Sequence, residues 1–430
     1  MGLLNTLALA TLIALISFLS APISHIIRVG GVFHTPIPTI LPDGHGPIYI
    51  EDTIHCEDVH HYKPANVLFT ACEDYKTTRF SWFPPLGNLI PPTTRGSVHV
   101  VDPETMKSTR LEFTNFQGPF VTHGIDVIQD EKSDGEAVYI FAVNHLPNPV
   151  YFHANTSIPA GTHKAASQIE LFHHVLGTRT LQHIRAIHHP LIETPNDIYA
   201  ESASSFYVTN DHFYREGAMR HVEDVWPSAK WSSIIHVRLP VEIHEGREVE
   251  ASVASTGLWN NNGLGHGRTA DEMIISSAVG GELFMSTLKR DSDWNLNATA
   301  SSHSTPGSVS ISESVSFGTV TDNPSYYVDP YATADDDVSG VVVAGVSRAI
   351  KLPVTSKDPE GVDPVQVWYA RPTGNEWEKR LLFEDDGLRI RTASAAVLVP
   401  VEPNGDGVKR AWLFVTGFMS EGMLAVQVEL

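Results

Sequence analysis

Five short polar motifs punctuate the chain, Glu57-Asp58, His123-Gly124, Asn196-Asp197, Asn262-Gly263 and Asp322-Asn323, and each opens a similar stretch: a turn, then a strongly apolar β run. They recur roughly 60–70 residues apart, a period that belongs to repeated supersecondary units. Units of this kind set in a ring carry residues distant in sequence to one central point. Oxygen-bearing side chains that meet there make a cation site.

Between the motifs one pattern returns six times. The apolar runs 67–70, 138–143, 206–209, 273–277, 341–344 and 412–415 are rich in β-branched and aromatic residues and bounded by turn residues, and they read as the inner strand of each unit. Outer strands alternating apolar and polar residues follow at 96–113, 168–187, 233–252, 282–301 and 365–384. The sixth copy stops at its third strand, 423–430, and a strand from the start of the chain, at 48–50 or Ile54, completes it and leaves no free sheet edge. Six four-stranded sheets around an axis are a six-bladed β-propeller, an all-β fold. A large β-sandwich or two stacked barrels is the competing architecture. Beyond an apolar amino-terminal helix, helical signal is confined to an amphipathic segment at 216–231, broken at Pro227. Its Met219, Val222, Val225 and Trp226 form either a core stripe or a patch for membrane or lipid. Segments 301–316 and 355–363 read as insertions between strands.

The 430 residues would ordinarily suggest two or three domains, an expectation the repeats remove. With 50 acidic against 29 basic residues the net charge is −21, which excludes a nucleic-acid partner and favours a cation or a neutral substrate. From Gly2 to about Ile23 the chain carries no charge, as a secretory signal or an uncleaved signal-anchor does, so 1–30 is assigned to a leader and 31–430 to the propeller. The product is expected in the secretory pathway, secreted or held at a membrane. Sequons at Asn155 and Asn297 agree with that compartment. Only two cysteines are present, too few for a zinc framework, and an oxidising compartment favours a Cys56–Cys72 disulfide over two buried thiols. The sequence sets no oligomeric state.

Side chains at the start of each blade's innermost strand face one opening of the central tunnel, and in Glu57-Asp58 and Asn196-Asp197 neighbouring side chains point to opposite sides of an extended segment. One member of each pair would meet an ion near the surface and the other a second ion deeper down. A mixture of Glu, Asp and Asn suits calcium; zinc would want His or Cys. Singly, each motif is an ordinary turn or strand cap, and the recurrence is what argues for a site.

The segments Cys56-Glu57-Asp58, Thr122-His123-Gly124-Ile125, Val143-Asn144-His145 with Pro147, Pro195-Asn196-Asp197-Ile198, Thr209-Asn210-Asp211-His212-Phe213-Tyr214, Asn262-Gly263 and Asp322-Asn323-Pro324, with the closing 423–430, stand in the order found in the serum paraoxonase/arylesterase family. The chain resembles that family over nearly its whole length after the leader. The resemblance implies a six-bladed propeller with two calcium ions in its tunnel, the upper, catalytic one on Glu57, Asn196, Asn262, Asp322 and Asn323, and the lower, structural one on Asp58, Asp197 and the backbone carbonyl of Ile125. It implies His123 and His145 as the pair that activates water, and His212 as a pocket residue. Asp322 is the alternative base or nucleophile. Two departures stand out: no cysteine near the C-terminus can tie first strand to last, and 343–348 and 417–420 lack pocket histidines found in relatives. Of the 22 histidines, His60, His61, His173, His174, His188 and His189 acquire no role.

The expected activity is calcium-dependent hydrolysis of carboxylic esters, aryl esters and lactones, with organophosphate cleavage as a side activity. The alternatives are a gluconolactonase-like or strictosidine-synthase-like propeller enzyme, or a calcium-stabilised propeller that binds a partner or lipid without catalysis.

Overall fold

Adjacent sheets bury their apolar faces against one another, and that pairwise burial gives the architecture. In the computed structural model, which describes residues 2–41, 46–91, 93, 95–153, 157–240, 249–289, 307–374, 376–405 and 407–430, six antiparallel sheets form six blades around a tunnel. The two sequon asparagines, Asn155 and Asn297, lie outside the described residues. The innermost strands, in chain order, are Asp58–Tyr62, Thr122–Gln129, Pro195–Ser202, Asn261–His266, Pro324–Tyr327 and Ala393–Val401. Each begins at or beside a polar motif, except in the sixth blade.

The core is a ring of six apolar interfaces between neighbouring blades. Phe69, Phe120, Ile140 and Phe172 fill the one between blades one and two, and Phe141, Ile198, Phe206 and Val208 the next. Ile50, Leu68, Val397, Phe414 and Met423 pack where blade six meets blade one. Here Ile48–Ile50 pairs antiparallel with the last strand, Met423–Glu429, in the register Ile48↔Ala425, Tyr49↔Leu424 and Ile50↔Met423. The ring therefore closes with the strand expected from the start of the chain.

Two readings of the sequence are corrected. The most apolar runs are the second strands of their blades, not the innermost: Val67–Cys72, Ala137–Pro147, Ser205–Asn210, Glu272–Ser277, Gly340–Val346 and Arg410–Gly417. A second strand has blade neighbours on both faces and reads as a continuous apolar run, whereas the innermost strand lines a polar tunnel. Segment 301–316 is not simply an insertion, because Val309–Ser316 is the outermost strand of blade four, paired with Glu282–Leu288. Its mostly exposed residues read as loop because an outer edge buries little.

The helix expected at 216–231 runs over Ala218–Val225 and stops before Pro227, which cannot supply the next backbone donor. An amino-terminal helix, Gly2–Val29, rests its last turns on the propeller: His25 Nε2 lies 2.7 Å from the Val279 carbonyl oxygen, and Phe18 meets Trp226 with ring centroids 5.3 Å apart. Among the described residues no helix is long and apolar enough to cross a membrane.

Ile50 is 2% exposed and sits in the closing seam, so Ile50→Ala should destabilise the protein by about 2–5 kcal/mol in urea unfolding, the usual range for truncating a buried Ile. A loss under about 1 kcal/mol would remove this strand from the closure.

Candidate active site

Close backbone approach at the axis is what gathers the polar motifs. A Cβ on Gly263 would lie 2.6 Å from Asn323 Cα, and one on Gly124 would lie 2.2 Å from Asp197 Oδ1, so glycine is required where these innermost strands crowd. Glu57 Oε1 accepts from Asn323 Nδ2 at 2.9 Å, and the Glu57 carbonyl accepts hydroxyl bonds from Ser394 and Thr416 of blade six. Thr209 Oγ1 donates to the Asn262 carbonyl at 2.7 Å, while the Asp322 and Asn323 amides donate to the Ala344 and Ser394 carbonyls. Glu57, Asn262 and Asn323 are thereby each held by a neighbouring blade, and Asp322 by the second strand of its own.

The side-chain oxygens are not so engaged. Glu57 Oε2, Asn196 Oδ1, Asn262 Oδ1, Asp322 Oδ1 and Asn323 Oδ1 are all buried and all lack a hydrogen-bond partner. Buried oxygens without donors are costly and rare. Their common property is that they are the five oxygens expected to hold one ion. Asn261, beside Asn262, also leaves its amide unpaired, a residue the sequence did not single out. Burial, then the charges of Asp322 and Asp58, push the Glu57 carboxyl well up; burial, then Asp58 and Asp211, do the same to Asp322. Two such carboxylates are stabilised as ions only by positive charge between them. The donor set of two carboxylates and three amides suits a hard cation such as calcium. Among the described residues no group of three or more His, Cys, Asp or Glu side chains is arranged to hold a metal, which is consistent with a site built largely from amides.

His123 and His145, 5% and 3% exposed, form a pair: His145 Nε2 lies 3.1 Å from His123 Nδ1, and His145 Nδ1 lies 2.8 Å from Ser167 Oγ. His123 Nε2 sits 3.9 Å from Glu57 Oε1, which sets the pair against the oxygen set. Burial pushes His123 down to about 3 despite the opposing charge of Asp211, and burial with the neighbouring His123 lowers His145 as well, so both rings are neutral near pH 7. His212 is held between Asp211 Oδ1 at 3.1 Å and Asp224 Oδ1 at 2.8 Å, and although burial opposes it, Asp211 raises it to about 9. It is absent from the lining of the small cavity, about 30 Å³, beside His145, where Ser167, Glu193, Asp211, Arg215 and Arg220 appear.

Residues 78–89 form a cap over the histidines. Phe83 meets His123 edge-on at 5.2 Å, stacks on Phe418 at 6.1 Å and carries the Arg79 guanidinium 4.2 Å from its centroid, while Trp82 Nε1 donates to the His145 carbonyl at 2.8 Å. Phe418 and Met419 occupy the stretch that lacks the relatives' histidine, and with Trp82, Phe83 and Val121 they make an apolar wall. None of the cap residues carried a sequence signal, because their contacts are with distant blades.

The lower set is gathered too. Asp58, Asp197 and Ile125 are 2%, 0% and 0% exposed, and the Asp58 charge, after burial, raises the Asp197 carboxyl. Cys56 and Cys72, which flank this hairpin, are bonded to each other.

The profile of the Arylesterase family matches residues 82–303, and the chain belongs to that family. It is 26% identical over 179 residues to serum paraoxonase/arylesterase 2 of Gallus gallus, 42% of this chain and 42% of that protein. It is 25% identical over 276 residues to serum paraoxonase/lactonase 3 of Rattus norvegicus, 64% of this chain and 62% of that one. A third match, 30% over 117 residues, is to serum paraoxonase/arylesterase 1 of Mus musculus and covers 27% of each. The matched region thus spans less than two thirds of the length of these relatives.

Two outcomes are expected from this geometry. Gly263→Ala pushes on the backbone of Asn323 and should cost about 1–3 kcal/mol in chemical unfolding, the range for overpacking. For pH, burial lowers His55 to about 3 and His99 to about 4, so between those values and the free-histidine pKa the unfolded chain binds more protons and stability falls as pH drops. His60 and His212, both raised to about 9, act oppositely, stabilising below the free-histidine pKa and losing that effect as pH rises through 9. In thermal melts His99→Gln should therefore flatten the decline between pH 7 and pH 5; an unchanged slope contradicts a buried neutral His99.

Proposed function

We propose that this chain is a calcium-dependent hydrolase of carboxylic esters, acting on aryl esters and lactones. The observation that carries the reading is the set of five buried, unpartnered oxygens beside a paired His123 and His145. Family membership, and relatives named for arylesterase and lactonase activity, support the same class.

Glu57, Asn196, Asn262, Asp322 and Asn323 would hold the ion. Calcium, when bound there, polarises a carbonyl oxygen and stabilises the negative charge that develops as water adds. A phosphoryl oxygen fits the same requirement, which makes organophosphate cleavage a side activity. His123, in the tautomer whose Nδ1–H donates to His145 Nε2, presents Nε2 toward Glu57 as the acceptor for the water's proton. His145 in turn donates from Nδ1 to Ser167 Oγ, which holds its tautomer and borders the cavity. Trp82, Phe83, Phe418 and Met419 exclude water from the histidine side and receive the apolar part of the ester. No nucleophilic serine is needed. The apolar leader and net acidity fit a secreted or membrane-held enzyme of the secretory pathway acting on small, uncharged substrates.

Turnover of phenyl acetate and of a simple lactone should vanish in chelator and return with calcium. Absence of calcium-dependent turnover on either substrate would sink the enzymatic reading. Asn262→Ala should lower kcat/KM by at least roughly tenfold to a hundredfold while leaving the melting curve in chelator close to the parent's. His123→Gln should lower kcat by roughly 10²–10⁴, the worth of a general base, and a full rate in that variant would remove His123 from the chemistry.

A further inference from the structure

The lower set has a different character from the upper one. Asp58 Oδ1 takes the Val59 N–H at 2.8 Å, and its Oδ2 takes both the Ile125 N–H and His60 Nε2 at 3.0 Å. Asp197 Oδ1 takes the Ile198 N–H at 2.7 Å and Oδ2 the Leu264 N–H at 2.6 Å. Where all five upper residues leave a buried oxygen unpartnered, none of these four carboxylate oxygens is without a donor.

His60 adds a side-chain donor to these backbone ones. It stands two residues after Asp58 on the same innermost strand, so their side chains share the tunnel-facing side. Its ring bonds Asp58 Oδ2 through Nε2 and thus engages one of the three groups expected to hold the lower ion. The other nitrogen, Nδ1, lies 3.4 Å from Asp126 Oδ1, and Asp126 Oδ2 accepts from His266 Nε2 at 2.8 Å and the Ala200 N–H at 2.6 Å. A carboxylate thus stands beside each ring nitrogen. His60 and His266 line a cavity of about 120 Å³ together with Asp58. Coordination by Asp58 Oδ2 would require displacing this ring.

We infer that backbone N–H groups and the His60 ring occupy the lower carboxylates in place of an ion, so that this chain holds one calcium, on the upper set. The number of ions rests on the calcium reading of the upper set; the placement of His60 does not. The experiment is a count of bound calcium per full-length chain, by elemental analysis after equilibration with calcium and desalting, paired with melting curves in chelator and in calcium. One ion is expected for the parent protein, and two would overturn the inference. In His60→Ala the released carboxylates should take up one additional ion, with a lower melting temperature in chelator and a larger rise on adding calcium than the parent shows. If the parent binds none, the calcium reading of the upper set fails, and His60→Ala decides the inference alone: a melt in chelator equal to the parent's with no uptake overturns it, and a lowered melt that calcium restores upholds it. Should His60→Ala not fold, His60→Asn, which keeps one donor, serves in its place with the same outcomes.

Discussion

Four carboxylates, Glu57, Asp58, Asp197 and Asp322, are nearly or fully withdrawn from water along one tunnel, and their mutual repulsion is the constraint on which the rest depends. Removing a carboxylate from water costs several kcal/mol unless positive charge or hydrogen bonds compensate. The chain meets that cost in two ways along the axis. At the lower level backbone N–H groups of four blades converge on Asp58 and Asp197, and the His60 ring adds to those on Asp58. At the upper level five side-chain oxygens lack protein donors, an arrangement that suits a cation.

The apolar interfaces make this possible. Six interdigitated blade contacts hold the innermost strands close enough for Gly124 and Gly263 to lie against the backbone of the next blade, and a polar axis inside an apolar ring follows. Stability and chemistry are thus separated by strand: second strands supply burial, innermost strands supply ligands. The histidine pair sits where the two meet, with His145 on a second strand and His123 on an innermost one.

The sequence carried the blade count and the closing strand, because each rests on a local signal: the 60–70-residue period and a truncated last copy. It also marked the oxygen-bearing motifs at strand starts, while the full membership of the two ligand sets came only from the family resemblance. It misassigned the tunnel-lining strands, since hydrophobicity marks burial on two faces and not nearness to the axis. Val309–Ser316 was hidden by the polarity of an edge strand. Arg79, Trp82 and Phe83 were illegible because a cap is defined by what lies beneath it, here residues some 40 to 60 positions away such as His123 and His145. His60 passed as an idle histidine for the same reason: one of its carboxylate partners, Asp126, belongs to another blade.

The closing seam has one more consequence. First and last strands meet over three residue pairs with no covalent tie, yet a few residues downstream the Glu57 carbonyl receives hydroxyls from Ser394 and Thr416 of the last blade, and His55 N–H donates to the Ser420 carbonyl. Glu57, whose carboxylate we propose as an ion ligand, is therefore also the residue that fastens the two ends of the chain. Ion binding there would act as a clasp: whatever draws Glu57 inward would tighten the join between termini, and a ring opening at that seam would release the ion.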